Sequence, residues 1–335
     1  MKKLDFVFFD AGGGHRSAAL ALKAVIEQQG RPWKVRLVNL QEVLSSLDIF
    51  RKYLGIRMED VYNRLLAKGW TLGSELLVPP MQTLIRIYHP AERKLLSEFW
   101  RRDPPDMVVS VIPNFGKAIY QGLRRVSPDI PLVTIITDFA DYPPHFWMEP
   151  GFDQLYVCGT DRAMDQARSI GYTDEQLFRA SGMIIRPSFY EQQPKDRRAE
   201  RVKLGLKPDA LTGCVLFGGQ GSYVMLDIAR RLADTDVDTQ LIFICGKNAT
   251  LAEKLRVLPR RIPFHVVGFT HEVPYYMAMS DYFIGKPGPG SISEAIAMKL
   301  PVIIERNAWT LPQERYNADW VRDKDVGIVL GNLRE

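Results

Sequence analysis

Leu4-Asp5-Phe6-Val7-Phe8-Phe9-Asp10-Ala11-Gly12-Gly13-Gly14-His15-Arg16-Ser17 is the stretch on which the fold turns. An apolar run of strand length, 4–9, passes straight into three glycines and then into a helical pattern over 15–29. Glycines let a chain turn tightly between strand and helix, and let a ligand approach the backbone without meeting a Cβ. The helix start behind them carries free amides and partial positive charge. The same device returns at Leu216-Phe217-Gly218-Gly219-Gln220-Gly221-Ser222, after an apolar run at 213–217. Two strand–glycine–helix units at equivalent places predict two related halves.

The first loop is not a familiar phosphate fingerprint. Gly12-Gly13-Gly14 lacks the third spaced glycine of the dinucleotide type, and no Lys-Ser/Thr pair follows as in the ATPase type. The sharper signal is His15, directly after the glycines. An imidazole titrates near neutral pH, and on the first helical turn it points toward the ligand space. The alternative is a histidine at a helix start with no chemistry.

Working outward, apolar runs at 34–40, 106–112, 131–136 and 153–157 alternate with helical patterns such as 114–126. A second series runs through 213–217, 239–244, 263–267, 281–284 and 301–304. Such alternation argues for parallel sheets covered by helices on both faces. Between the series, Gly182, Pro187 and Pro194 mark 182–196 as a linker. The expectation is an α/β chain of two Rossmann-like domains facing across a cleft, 1–185 and 186–335. A length of 335 residues exceeds what one core usually serves.

Residues 41–102 show no strand and read as a helical insertion in the first domain. Arg51, Lys52, Arg57, Arg64, Lys68, Arg86, Arg93, Lys94, Arg101 and Arg102 are interleaved there with Phe50, Tyr53, Trp70, Ile85, Ile87 and Tyr88. That mixture suits an interfacial, membrane-facing element, the alternative being an ordinary packed insertion.

Charge and cysteine usage exclude several classes. Lys+Arg total 44 against 39 Asp+Glu, a net +5, which is no strongly basic nucleic-acid binder but suits an anionic ligand or membrane surface. Cys158, Cys214 and Cys245 are odd in number and far apart, which argues for core residues in a reducing compartment. The apolar run after Met1-Lys2-Lys3 is too short for a signal or a span, so any work at a membrane is expected on its surface.

A third glycine segment, Gly285-Lys286-Pro287-Gly288-Pro289-Gly290-Ser291-Ile292-Ser293-Glu294, joins strand 281–284 to a helix at 291–298. Backbone amides, Ser291 and the helix start form a cradle for a diphosphate. Glu294, a turn further on, can offer its carboxylate to two vicinal ribose hydroxyls. The competing reading is a capping box between Ser291 and Glu294.

Gly12-Gly13-Gly14-His15, Gly218-Gly219-Gln220-Gly221, Gly285 to Glu294 and Gln313-Glu314-x-x-Asn317 together resemble the monogalactosyldiacylglycerol synthases. More broadly they resemble the inverting transferases that include the lipid-II-forming enzyme of peptidoglycan synthesis. The likeness runs through most of the chain in the same order, and its last two segments are the most specific. It implies a GT-B fold, with the acceptor on the first domain beside Gly12, Gly13 and Gly14, and the UDP-sugar on the second. By that resemblance Glu294 holds the ribose, and Gly218, Gly219, Gln220, Gly221, Ser222, Lys286, Gly288, Gly290 and Ser291 surround the diphosphate. Gln313, Glu314 and Asn317 hold the sugar hydroxyls, and His271, in the turn after 263–267, lies near the uracil. The insertion corresponds to the membrane- and acceptor-binding region. The chain departs from the plant-type pattern at Pro143-Pro144-His145, where those enzymes have histidine-proline, and it lacks their acid near Gln220. The family adds helices after a strand such as 327–329.

The activity this implies is inverting transfer of a hexose, galactose or glucose, from a UDP-sugar to diacylglycerol or a similar lipid. It would occur at the cytoplasmic side of a membrane, with no nucleic acid partner. His15 is the first candidate for the base and Asp138, after strand 131–136, the second. No cofactor or metal is expected, and Asp234-x-Asp236-x-Asp238 reads as a solvated turn on the amino side of its sheet. The alternatives are an isomerase of the UDP-N-acetylglucosamine 2-epimerase type and a transferase with a polyprenyl-linked acceptor.

Overall fold

Among the described residues twelve short strands form, and every pairing among them is parallel. The computed structural model describes residues 1–10, 13–47, 78–142, 145–233 and 235–333. Gly12, the part of the insertion from Phe50 to Trp70 and on to 77, Pro143-Pro144 and Asp234 lie outside the described residues. The chain divides between Arg186 and Pro187 into two compact units, each with its own sheet.

The first sheet holds β1 (Lys2–Phe8), β2 (Trp33–Asn39), β3 (Met107–Ser110), β4 (Leu132–Ile135), β5 (Leu155–Cys158) and β6 (Leu177–Arg179), in the order β2-β1-β3-β4-β5-β6. Its helices are α1 (Gly14–Gln28), α2 (Leu40–Val43), α3 (Val78–Arg102), α4 (Gly116–Arg124) and α5 (Asp161–Ser169). The expected helix over 114–126 starts at Gly116 because Asn114 turns left-handed, with φ 67°. β6 has no sequence signature: it is a three-residue edge strand with Phe178 exposed.

α3 runs through Pro90 and is tied to β1 by a buried carboxylate. Asp5 is fully buried in the strand, which is costly unless every lone pair is met. Arg36 of β2 pairs with it, and the Trp100 indole of α3 donates to its Oδ2 at 3.0 Å. Leu96 and Trp100 then pack into the core under β1 and β3. A helix without a strand partner is thereby fixed to the sheet.

The second unit opens with α6 (Arg197–Lys203). It continues through β7 (Leu211–Leu216), α7 (Val224–Ala233), β8 (Thr239–Ile244), α8 (Ala249–Arg256), β9 (Phe264–Val267), α9 (Val273–Ala278), β10 (Tyr282–Gly285), α10 (Pro289–Ala297), β11 (Val302–Glu305), α11 (Arg315–Asp323) and β12 (Gly327–Leu330). The order is β12-β11-β10-β7-β8-β9. Every residue of β8 is buried, as expected of a strand covered on both faces. Burying each of Leu241, Ile242 and Phe243 contributes about 1.5–3 kcal/mol.

Strand order reverses between β1 and β3 in one sheet and between β7 and β10 in the other. Open α/β sheets bind ligands outside the carboxyl ends of their strands at such switch points. The described residues include no helix long and apolar enough to cross a membrane.

Candidate active site

Most of the expected site residues gather near the two switch points, whereas His271 follows the edge strand β9; each half is described by itself. In the first unit, Gly13 caps α1 with φ 82° and Gly14 is the first helical residue. His15 follows, half-buried, and its Nδ1 lies 3.3 Å from the Thr137 hydroxyl beyond β4. The Trp147 ring sits 6.0 Å away, centroid to centroid. Desolvation lowers the imidazole pKa from 6.5 to about 4, while its hydrogen bond with the Val111 backbone, beyond β3, pulls the other way. His15 is therefore uncharged near neutral pH.

Asp138 is buried, and its Oδ2 accepts from the Trp147 indole at 2.8 Å. In this structure the carboxylate fixes the ring that shields the imidazole. Asp141 holds the backbone of the same residue, accepting the Trp147 N–H at 2.6 Å. Burial pushes the Asp141 carboxyl up to about 6, against the pull of that amide. Asn114 joins the group: its N–H donates to the Phe146 carbonyl at 2.6 Å, and its Oδ1 is buried without a hydrogen-bond partner. His145 is also left-handed, with φ 52°. Two such residues side by side store backbone strain, which concentrates at functional sites. Trp147, Asp141 and Asn114 escaped sequence reading. Asn114 alone carried a signal, a Pro-Asn turn between strand and helix.

In the second unit the loop after β7 carries Gly218, with φ 77°, then Gly219, half-buried Gln220, Gly221 and buried Ser222. Gly221 is explained by packing: φ is 65°, and a Cβ there would lie 2.5 Å from the Cys245 carbonyl oxygen. Gly219 has open space, and its carbonyl accepts from the Lys247 N–H at 2.9 Å. Ser222 Oγ accepts from the Val224 N–H at 3.4 Å and so serves the start of α7. His271 is exposed after β9, edge-on to the exposed Phe269 at 5.1 Å.

The loop after β10 brings the remaining residues together. Lys286 Nζ donates to Glu314 Oε1 at 2.6 Å. A Cβ built on Gly218 would lie 3.8 Å from Lys286 Cε, so the β7 and β10 loops meet at the switch point. Gly288 caps α10, and a Cβ there would lie 3.4 Å from Lys286 Cε and 3.8 Å from both Glu314 Oε1 and Ser291 Oγ. α10 begins at Pro289, so Ser291 lies inside its first turn, and no side chain caps the helix. The capping-box reading of Ser291 and Glu294 is thus corrected. Gly290 is exposed in that turn, and Glu294, half-buried, is close enough to add to the burial that pushes the Cys214 thiol up to about 12. Gln313 is half-buried beside Glu314. Asn317, fully buried on α11, donates through Nδ2 to the Pro287 carbonyl at 2.8 Å, and its Oδ1 has no partner. Asn317 therefore ties the glycine loop to α11 through its amide nitrogen. Asp236 and Asp238 are exposed on the amino side of β8, paired with Arg261 and Lys207.

Two parallel sheets, each with glycine loops at its switch point, make a two-domain α/β protein of the GT-B type. Acinetobacter baumannii MurG shares the fold, with a TM-score of 0.59 at 11% identity over 98% of this chain and 85% of that one. A UDP-N-acetylglucosamine 2-epimerase shares it more loosely, with a TM-score of 0.51 at 12% identity over 91% and 78%. Sequence narrows the class. Residues 15–185 match the monogalactosyldiacylglycerol (MGDG) synthase family model, and 214–331 match the glycosyltransferase family 28 C-terminal domain. The chain belongs to the MGDG synthase family. It is 27% identical to the chloroplastic monogalactosyldiacylglycerol synthase of Spinacia oleracea across its whole length, and spans 64% of the length of that enzyme.

Proposed function

We propose that the chain is an inverting glycosyltransferase that moves a hexose, galactose or glucose, from a UDP-sugar to diacylglycerol or a similar membrane lipid. The observation that carries this reading is the cluster of Lys286, Gly288, Ser291 and Glu314 at the β7/β10 switch point, in a chain of the MGDG synthase family. An ammonium beside an uncapped helix start suits a diphosphate leaving group, whose growing charge meets preset donors without reorganisation. Glu294 receives the ribose hydroxyls, and Gln313 and Glu314 receive those of the sugar.

On the acceptor side His15 takes the hydroxyl proton as the oxygen attacks the anomeric carbon, and UDP leaves from the opposite face. What supports His15 is its neutral state and its orientation by Thr137 and Trp147. Asp138 acts on it through Trp147. No cofactor or metal enters the proposed steps. We place the protein peripherally on the cytoplasmic face of an anionic membrane, with the exposed Arg86 and Ile87 of α3 on the contacting side.

The test is transfer of labelled hexose from UDP-galactose and UDP-glucose to diacylglycerol in anionic vesicles. The expected result is label in the organic extract, with the opposite anomeric configuration. Label that stays in a rearranged sugar nucleotide would instead establish an isomerase. Transfer only to a polyprenyl-linked acceptor would correct the lipid.

A further inference from the structure

Glu314 is an anion of the protein sitting where an anion of the substrate is proposed to sit. Its side chain is only 9% exposed, while that of Lys286 is 35% exposed. The carboxylate is covered by protein and the ammonium reaches solvent, so an arriving anion meets Lys286 first. Both lie against Gly288 at the start of α10, which no side chain caps and where the helix dipole favours negative charge. Glu314 immediately precedes α11 and makes no side-chain cap hydrogen bond with it. One turn on, Asn317 ties the Pro287 carbonyl to α11. The loop is therefore held independently of the ion pair, and Lys286 can change partner without the loop losing its shape.

We propose that Glu314 stands in for the donor diphosphate in the free protein. It keeps the Lys286 ammonium in place, the diphosphate takes that ammonium over on binding, and the released carboxylate turns to the sugar hydroxyls. The proposal rests on the reading of the second unit as a UDP-sugar site. It has an unusual consequence: a residue that helps turnover opposes nucleotide binding. UDP competes with Glu314 for Lys286, whereas uridine, which has no phosphate, does not.

Calorimetric titration of UDP and of uridine into the full chain tests this, using Glu314→Gln and the shortened Glu314→Asp. Both variants are expected to bind UDP about two- to fivefold tighter, the range of a partly exposed ion pair. Uridine affinity should not change, transfer from the UDP-sugar should fall, and Lys286→Gln should weaken UDP alone. UDP affinity equal to or below that of the unsubstituted protein in both Glu314 variants overturns the proposal. So does a tightening shared by uridine, which reports a loosened loop. An unsubstituted protein that binds neither UDP nor uridine overturns the underlying site reading, a distinguishable failure.

Discussion

At the β1/β3 switch point the residue after the glycines is an imidazole that burial keeps uncharged. At the β7/β10 switch point the corresponding working group is an ammonium paired with a carboxylate. The sheets share a plan, yet at its switch point the first half shields its ionisable group and the second pairs its own. Around His15 stand Trp147, the Thr137 hydroxyl and the Val111 backbone. Around Lys286 stand Glu314 and a helix start. The contrast fits a division of labour. Proton removal needs a neutral base, and holding a leaving anion needs fixed positive charge.

The sharpest way to break this contrast is His15→Ala. Turnover should fall about 100- to 10,000-fold, with UDP affinity unchanged. Steady-state kinetics paired with UDP titration checks it. A loss of UDP affinity equal to the loss of turnover would place His15 in binding and dissolve the distinction.

Glycines in the second half can be sorted in the same way. Gly221→Ala meets a carbonyl oxygen at 2.5 Å in a left-handed conformation, so it should cost at least about 1–3 kcal/mol of stability. Gly219→Ala meets nothing within 4 Å and should leave the denaturation midpoint unchanged. Urea denaturation of both variants decides whether the loop is shaped by its fold or by its ligand.

Most of the framework was legible in the sequence because buried parallel strands are short apolar runs and glycine turns punctuate them. Ten strand runs, Gly13-Gly14-His15 and the β10 loop could be read that way. β6 could not, since an exposed edge strand carries no apolar pattern. The shielding of His15 could not either. Trp147 and Asp141 lie over a hundred residues from it in sequence, and only the order of β1, β3 and β4 brings them near. Gly221 looked like a ligand glycine because close backbone packing and close ligand approach call for the same residue. The Lys286–Glu314 pair was legible as two separate roles but not as one contact, because local patterns give no long-range distance.

A smaller effect sharpens the account of the shield. A base must be unprotonated, so the acid limb of kcat/KM should fall near pH 4 in the unsubstituted protein. Trp147→Ala admits water to the ring and should move that limb up toward 6.5, with a loss of up to about thirtyfold at pH 5. A loss that is equal at pH 5 and pH 8 would mean that Trp147 only shapes the loop.

The smallest effect concerns stability and extends the contrast beyond the site. Glu92 on α3 is buried, its Oε2 has no hydrogen-bond partner, and burial raises its pKa from 4.5 to about 7. The folded state therefore holds a proton that the unfolded chain releases between those values, and stability falls as pH rises through that window. His15 has the opposite sign. Its folded pKa is depressed, so its contribution is lost as pH falls from 6.5 to about 4. Glu92→Gln should raise the melting temperature at pH 8 by a few degrees and leave it unchanged at pH 4.5, read by thermal denaturation at both values. The same gain at both pH values would trace the effect to packing. A loss at pH 8 would show that the Glu92 carboxylate is satisfied in the folded state, as Asp5 is by Arg36 and Trp100.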